Sequence, residues 1–206
     1  AAAMCKGAAV TCTSVTCEQK KEPPPKLYDL TTLQREANRL LGYTAKQTLD
    51  LAQSLYEKKL LTYPRTDSQY LSDDMEQTAK SVIDAIFAYI LFEQNIIFHP
   101  DIKRVLNSKK VTDHHAIIPT MELAKSDLAA LPESERNILT LAGVRLLTAT
   151  AEPHIFEAVT AVFSCADREF TAKGKTVLCG GWKELEARYR ASLKKKPDSD
   201  DEENAL

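Results

Sequence analysis

Three consecutive prolines, Pro23 to Pro25, interrupt this chain of 206 residues near its start. They lie in the charged stretch "EQKKEPPPK", and a run of prolines can continue neither a helix nor a central strand. We therefore place a domain boundary at this point. Residues 1–23 form a short β-leaning piece with a linker, and they are too few to bury a sheet face without help from another part of the chain.

The block after the prolines, residues 24–153, carries the patterns of helices. Thr31 with Gln34 and Thr44 with Gln47 both match capping boxes, and Gly42 between them suits a left-handed helix end. Two such helices form a helix-turn-helix candidate, with the β-leaning residues 60–63 as the wing of a winged helix. Their predicted apolar faces are Leu33, Ala37, Leu40 and Leu41 in the first helix and Ala45, Leu49, Ala52 and Tyr56 in the second.

Further along, Ser72 is predicted to cap a core helix that reaches Leu91, followed by a short helix near residues 124–130. An amphipathic helix is predicted over residues 132–151, where Pro153 ends it. Residues 154–190 alternate in polarity, with turn signals at 166–168 and 172–175, and predict two or three antiparallel strands. Residues 191–206 are a charged tail that we expect to be disordered. The predicted fold is α+β, in which the two flanks pair in one small antiparallel β domain and the helical block is inserted into it.

Composition narrows the class of protein. A hydrophobic content of 44% is ample for a buried core, and the longest apolar run, interrupted by Asp84, is too short to cross a bilayer. The first residues do not resemble a secretory leader. The five cysteines form no CxxC pair and match no zinc module, which favours reduced thiols in the cytosol. We therefore expect a protein of the cytoplasm without a membrane segment or a metal site of its own.

The apolar run at residues 60–62 ends unusually, in Tyr63, Pro64 and Arg65. A phenol is a poor nucleophile at neutral pH unless its anion or its target is stabilised. Pro64 favours an extended backbone at Tyr63, which would place Arg65 on the same side. The guanidinium matches phosphate oxygens, so the pair could attack and clamp a phosphodiester. A strand-end tyrosine beside a surface arginine is the alternative.

A second group of candidate residues lies in "VTDHHAIIPT", residues 111–120. Asp113, His114 and His115 could form a metal site of the kind found in DHH phosphoesterases, but the separate aspartates of such sites are missing. A relaxase-type site would need an apolar residue between the histidines. One histidine could instead donate a hydrogen bond to the phosphate that Tyr63 attacks, or the pair could simply cap a loop. Arg35, Arg39 and Lys46 on the two helices are candidate contacts to a nucleic-acid backbone, although exposed helix charges are commonly only solvated.

Three linked motifs together resemble one known family. They are "YDLTTLQREANRLLGYTAKQTLDLAQSLYEKKL", then "LTYPRTDSQYL", then "TDHHAIIPT" about 45 residues later. In this order they are similar to type IA DNA topoisomerases of the bacterial topoisomerase III kind, and the resemblance extends from about Glu18 to Trp182. It implies that Tyr63 attacks single-stranded DNA, forming a 5′-phosphotyrosyl bond and freeing a 3′-hydroxyl. It further implies that Arg65 and His114 contact the scissile phosphate and that Thr66, Ser68 and His115 lie among the DNA contacts.

The same resemblance implies a layout. Residues 24–153 would be a winged-helix-like tyrosine domain inserted into the β-rich arch of a toroid, with residues 1–23 and 154–190 as the two arch segments. The toprim domain, which in this family holds Mg²⁺, has no counterpart in the chain. We therefore expect a fragment that is inactive alone, whose partners are single-stranded DNA and the remaining domains of a longer enzyme, in the bacterial cytoplasm with the nucleoid.

Two alternatives remain. Tyrosine recombinases and type IB topoisomerases also combine Tyr, Arg and His, but they place the tyrosine after an Arg and a His-x-x-Arg box, whereas here Tyr63 comes first. The other alternative is a non-catalytic winged-helix module that binds single-stranded DNA, in which Tyr63 only stacks on a base.

Overall fold

The computed structural model describes residues 2–89 and 98–194. The chain divides into two compact units, each built from separated stretches. The first contains the residues up to Pro23 together with Pro153–Gly181, and the second contains Pro24–Glu152 together with the residues from Trp182 onward. Each unit is described by itself below.

The first unit is a three-stranded antiparallel sheet preceded by a single helical turn, α1 (Ala2–Cys5). Its strands are β1 (Thr11–Glu22), β2 (His154–Cys165) and β3 (Arg168–Cys179), and β2 lies in the centre. β1 pairs with β2 from one end to the other, with a bulge near Cys12. The predicted pairing of the two flanks and the α+β class are therefore confirmed.

The two predicted turns in this sheet have different outcomes. Ala166 and Asp167 both have positive φ, 47° and 55°, as a two-residue hairpin turn between β2 and β3 requires. The second predicted turn, at residues 172–175, is wrong. β3 continues through it, and Gly174 pairs with Val159 as an ordinary strand residue, because β2 offers a paired backbone over the whole length.

The second unit is helical. Its α-helices are α2 (Leu30–Leu41), α3 (Ala45–Glu57), α4 (Glu76–Tyr89), α5 (Glu133–Thr150) and α6 (Trp182–Lys194). The other four helices all pack against α5, which is buried on most of its surface from Ile138 to Thr150. The predicted helix is therefore present, but the prediction that it is amphipathic is wrong. α5 is the central helix, and it ends ahead of Pro153 as expected.

The ends of the first two helices are set by caps. Thr44 and Gln47 form the predicted capping box of α3, and Gly42 ends α2 with φ of 73°. The cap of α2 differs from the prediction. Asp29 is the N-cap, and its carboxylate accepts a hydrogen bond from Thr32 N at 2.7 Å. α2 therefore begins at Leu30, because the Asp29 carboxylate accepts a hydrogen bond from a free backbone N–H of the first turn and acts as the N-cap in place of Thr31.

The buried face of α3 is rotated from the predicted one. Its buried residues are Thr48, Ala52 and Leu55, whereas Ala45 is exposed, Leu49 is only partly buried and Tyr56 is 40% exposed. In α2 the prediction holds, with Leu33 and Ala37 fully buried and Leu40 and Leu41 packed against the core. The consequence for α3 is that Tyr56 belongs to the surface.

The connections between the helices are less regular than predicted. Residues 60–63 form no strand, and Leu61 makes only one antiparallel bridge, to Pro119. Ser72 precedes a 3-10 turn, Asp73–Met75, without a side-chain cap, and residues 90–91 of the predicted helix lie outside the described residues. The expected helix near residues 124–130 is two 3-10 turns, Met121–Lys125 and Leu128–Ala130.

The end of the described chain corrects the predicted domain limits. Residues 182–190 were expected in the β piece and residues 191–194 in the charged tail, but they form α6, which groups with the helical unit. Leu185 and Tyr189 are buried one turn apart, and Glu184–Arg188 and Glu186–Arg190 pair along the helix. The rest of the predicted tail lies outside the described residues. Among the described helices, none is both long and apolar enough to cross a membrane.

Candidate active site

Hydrogen bonds fix the segment that ends in Tyr63 against the segment that follows the histidines. Thr62 N donates to Ile118 O at 3.0 Å, and Thr120 N donates to Leu60 O at 3.0 Å. The Thr62 hydroxyl donates to Ala116 O at 3.1 Å and accepts from Ile118 N at 3.0 Å. The two motifs predicted to act together are therefore neighbours in the fold.

Tyr63 is half-buried and its ring contacts two other rings. The centroid of the exposed His114 ring lies 4.3 Å from that of Tyr63, at an interplanar angle of 45°. The Tyr56 ring meets it edge-on, at 5.3 Å and 75°. These contacts limit the orientations of the phenol and bring an imidazole next to it, as the sequence motifs predict.

Arg65 is exposed, and its guanidinium forms no hydrogen bond or ion pair with another described residue. Its guanidinium is therefore free to bind an anion that approaches Tyr63. Its neighbour Asp67 accepts a hydrogen bond from the Thr112 hydroxyl at 3.3 Å, which ties the tyrosine segment to the loop that carries the histidines.

Thr66 and Ser68, predicted as DNA contacts, are 8% and 4% exposed. The Thr66 hydroxyl donates to His114 O at 2.8 Å and accepts from Ser68 N at 3.1 Å. The Ser68 hydroxyl donates to Lys110 O at 2.9 Å. Both hydroxyls therefore hold the histidine loop against the tyrosine segment, and DNA contact by them stays a prediction.

His115 differs from His114 in its surroundings. It is half-buried, and its Nδ1 donates to Ala116 O at 2.8 Å, since a carbonyl can only accept. It lines an open cleft of about 500 Å³ together with Tyr63 and several residues that sequence reasoning missed. Those residues are Tyr56, Glu57, Lys59, Leu61, Thr62 and Thr120. Tyr56 was predicted in the buried face of α3. The buried face contains Leu55 instead, one residue earlier, which leaves Tyr56 at the surface.

The three predicted helix contacts are not equivalent. Arg39 is committed to carboxylates, with Nε at 3.3 Å from Glu36 and a second contact to Glu186 at 3.6 Å. The hydrogen bond that Arg39 donates to the Glu36 carboxylate raises the pKa of Arg39. Arg35 and Lys46 are exposed, without a recorded ion pair to another described residue. Within residues 2–89 and 98–194, none of these three residues lines the cleft at Tyr63 or contacts its ring.

A buried carboxylate anchors the end of α3, the helix that carries Tyr56. Glu135 is 6% exposed, and it accepts hydrogen bonds from Ser54 at 2.8 Å and from Lys58 at 2.5 Å. Burial alone would raise the pKa of Glu135, but the hydrogen bonds from Lys58 and Ser54 outweigh it and hold the pKa below the usual range. The carboxylate is therefore ionised at neutral pH and ties α5 to α3.

A metal site does not fit this part of the chain. In residues 2–89 and 98–194, no group of three or more His, Cys, Asp or Glu side chains is arranged to hold an ion. Asp113 beside the two histidines is exposed and forms no such group, so we derive no chemical step through a metal held by these residues.

Comparison with known proteins places the chain in context. It is 40% identical over 180 residues to DNA topoisomerase 3 of Bacillus cereus, covering 85% of this chain and 24% of the relative. With DNA topoisomerase 3 of Bacillus subtilis it shares 38% identity over 195 residues, covering 91% of this chain and 26% of the relative. The chain thus spans about a quarter of the length of the curated relatives it matches.

Its fold is similar to that of full-length topoisomerase I from Thermotoga maritima, with a TM-score of 0.63 and 24% identity over 85% of this chain and 29% of that one. A family model described as DNA topoisomerase matches residues 1–205. Together with the neighbouring Tyr63 and His114 motifs, this match shows that the chain belongs to the type IA DNA topoisomerase family.

Proposed function

We propose that this chain carries the nucleophile of a topoisomerase III-like enzyme that cleaves and rejoins single-stranded DNA. The observation that carries the proposal is the contact between the Tyr63 and His114 rings at 4.3 Å. The free guanidinium of Arg65 supports it, since a phosphate at Tyr63 would need positive charge nearby. Family membership supports it as well, because the Bacillus cereus and Bacillus subtilis relatives are both named DNA topoisomerase 3.

In the proposed reaction the Tyr63 oxygen forms a bond to phosphorus and loses its proton, while the bond from phosphorus to the 3′-oxygen breaks. The 3′-oxygen takes up a proton and leaves as a hydroxyl, and the 5′ end stays on Tyr63. Arg65 and His114 bind the non-bridging oxygens, on which charge develops in the transition state. Attack by the same 3′-hydroxyl reverses every step. The phosphotyrosine conserves the bond energy, so DNA linking changes or decatenation would need no ATP.

The relatives' greater length supports a further part of the proposal. We place the helical unit as a winged-helix-like tyrosine domain and the sheet as a piece of the arch of a longer enzyme. In the family the Mg²⁺ belongs to the toprim domain, and the metal would supply charge at the phosphate. A chain without that domain lacks the acid that protonates the leaving 3′-oxygen, and general acid help is worth roughly 10²–10⁴ in rate. This chain alone is therefore expected to be inactive.

The remaining DNA contacts belong to the same proposal. Arg35 and Lys46 are free to bind phosphates, whereas Arg39 would have to give up its contacts with Glu36 and Glu186. Among the residues near Tyr63, His115 has its Nε2 available, because its Nδ1 is already used.

The test combines this chain with a separately produced toprim-containing part, Mg²⁺ and a labelled single-stranded oligonucleotide. After denaturation, a 3′-labelled oligonucleotide should migrate with the protein, and a 5′-labelled one should not. Tyr63→Phe should abolish the adduct, whereas Tyr43→Phe, which alters a phenol elsewhere in the helical unit, should leave it unchanged. Binding without any adduct in the combined sample would favour the non-catalytic DNA-binding module instead.

A further inference from the structure

We propose that the open cleft beside Tyr63 is a nucleotide subsite, in which Tyr56 stacks on a base of single-stranded DNA and Lys59 binds its phosphate. The inference rests on the proposed function, because it places this nucleotide next to the phosphate that Tyr63 attacks. The cleft, of about 500 Å³, is large enough for one nucleotide.

Tyr56 supplies the stacking surface. It occupies the last turn of α3 and is 40% exposed, although the sequence pattern predicted it in the core. With its ring in contact with Tyr63, at 5.3 Å between centroids and 75° between planes, Tyr56 still keeps this exposed surface. Aromatic rings that remain open beside a nucleic-acid site stack on bases without regard to their identity, since every base has a π-face. The subsite should therefore accept any base.

Lys59 supplies the charge, and its backbone is held in an unusual conformation. Its φ is 61°, in the left-handed region that a residue with a side chain rarely adopts. Lys59 N donates to Tyr56 O at 2.8 Å, and Lys59 O accepts from the Thr120 hydroxyl. These two contacts maintain the strained conformation, and Thr120 also lines the cleft.

The neighbouring lysine shows why Lys59 is the phosphate candidate. Lys58 is committed to Glu135 at 2.5 Å, whereas Lys59 is exposed and has no recorded ion pair with a described residue. Glu57 also lines the cleft and would repel a phosphate. Its Oε1 accepts a hydrogen bond from the Gln53 amide at 3.1 Å, one turn back along α3, which leaves its negative charge in place. Lys59 is therefore the cationic group of the cleft, and Glu57 weakens rather than assists phosphate binding.

The test measures binding of a fluorescent oligothymidine by anisotropy, at several salt concentrations, with this chain carrying Tyr63→Phe so that no adduct forms. Adding Tyr56→Ala should weaken binding about fivefold or more, and adding Tyr56→Phe should change it less than twofold, because stacking does not need the hydroxyl. Lys59→Gln should reduce the slope of log affinity against log salt by about 0.7. Lys59→Arg should restore that slope.

Lys80→Gln removes an exposed lysine on α4 that does not line the cleft, and it should leave the affinity and the salt slope unchanged. Circular dichroism and thermal melting of each variant establish that it is folded. The proposal is overturned if Tyr56→Ala and Lys59→Gln bind like their parent, or if the parent shows no measurable binding. If Tyr56→Ala binds unchanged in this assay while the chain with Tyr63 intact still forms its adduct in the sample combined with the toprim-containing part, the subsite is refuted and the proposed function stands.

Discussion

Two hydroxyl groups organise the site at the scale of single residues. Thr62 and Thr66 each bridge the tyrosine segment and the histidine segment, through Ala116 O, Ile118 N and His114 O. That the motifs around Tyr63 and His114 lie together was predictable from sequence, because their residue types suit the proposed chemistry. The positioning role of Thr66 was not, since its partner lies in a loop far along the chain and only the fold brings them together.

Replacing Thr66 by Val tests this positioning role. Val has the same shape but cannot donate to His114 O, so the histidine loop should lose its anchor. We expect roughly a tenfold lower yield of the Tyr63 adduct in the combined sample and a loss of about 1 kcal/mol in the free energy of unfolding. Thr66→Ser keeps the donor and should retain most of the yield. An adduct yield from Thr66→Val equal to that of the parent would rule out the positioning role.

The Glu135 carboxylate predicts a pH dependence of stability. Its pKa is lower in the folded chain than in the unfolded one, so its contribution is fully present above the usual carboxyl range. That contribution is lost as the pH falls through the folded-state pKa. Glu135→Gln should cost about 1–2 kcal/mol at pH 7, given that Lys58 is partly exposed.

Urea unfolding of Glu135→Gln and of the parent at pH 7 and at pH 3 measures this difference. The two proteins should differ less at pH 3 than at pH 7, because the parent carboxylate takes up a proton as the pH falls through its lowered pKa. Glu122→Gln, which removes an exposed ion pair with Lys125, is the matched control and should change stability by less than about 0.5 kcal/mol. A gap between Glu135→Gln and the parent that widens toward low pH would contradict the assignment.

At the scale of elements, local signals predicted most of the helices and three-dimensional packing decided their faces. Gly42 and the Thr44 capping box are read directly from adjacent residues, and both are present. α3 packs against α5, and its buried residues share only Ala52 with the predicted face, since Thr48 and Leu55 are buried in place of Leu49 and Tyr56. Hydrophobic periodicity alone does not determine a rotation of the buried face by one residue. Because of this rotation, Tyr56 lies in the cleft and not in the core.

The cap of α2 gives a prediction at this scale. Asp29 accepts from Thr32 N at 2.7 Å, and Leu30 N is held by Thr66 O at 3.1 Å, so the start of α2 also supports the tyrosine segment. Asp29→Ala should lower the free energy of unfolding by about 1 kcal/mol, measured by chemical denaturation. Asn caps as well as Asp, so Asp29→Asn should cost little. Equal losses in both variants would indicate that the charge of Asp29, and not its capping, matters.

At the scale of the whole molecule, the sequence predicted the pairing of distant flanks but not the boundary of the β piece. Neither flank alone could bury a sheet face, which made the pairing of β1 with β2 the economical solution. The sequence did not predict α6, because most of its residues are charged or polar and its buried apolar face consists of little more than Leu185 and Tyr189. These two residues become a recognisable apolar face only in the fold, where α6 packs against α5.

The central claim is that Tyr63 is the residue that becomes linked to DNA. The most direct measurement is mass-spectrometric mapping of the adduct formed with the toprim-containing part, Mg²⁺ and a single-stranded oligonucleotide. Digestion of the protein and the DNA should leave one modified peptide, with a 5′-nucleotide phosphate on Tyr63. A nucleotide found on another residue, such as the neighbouring Tyr56, would contradict the claim.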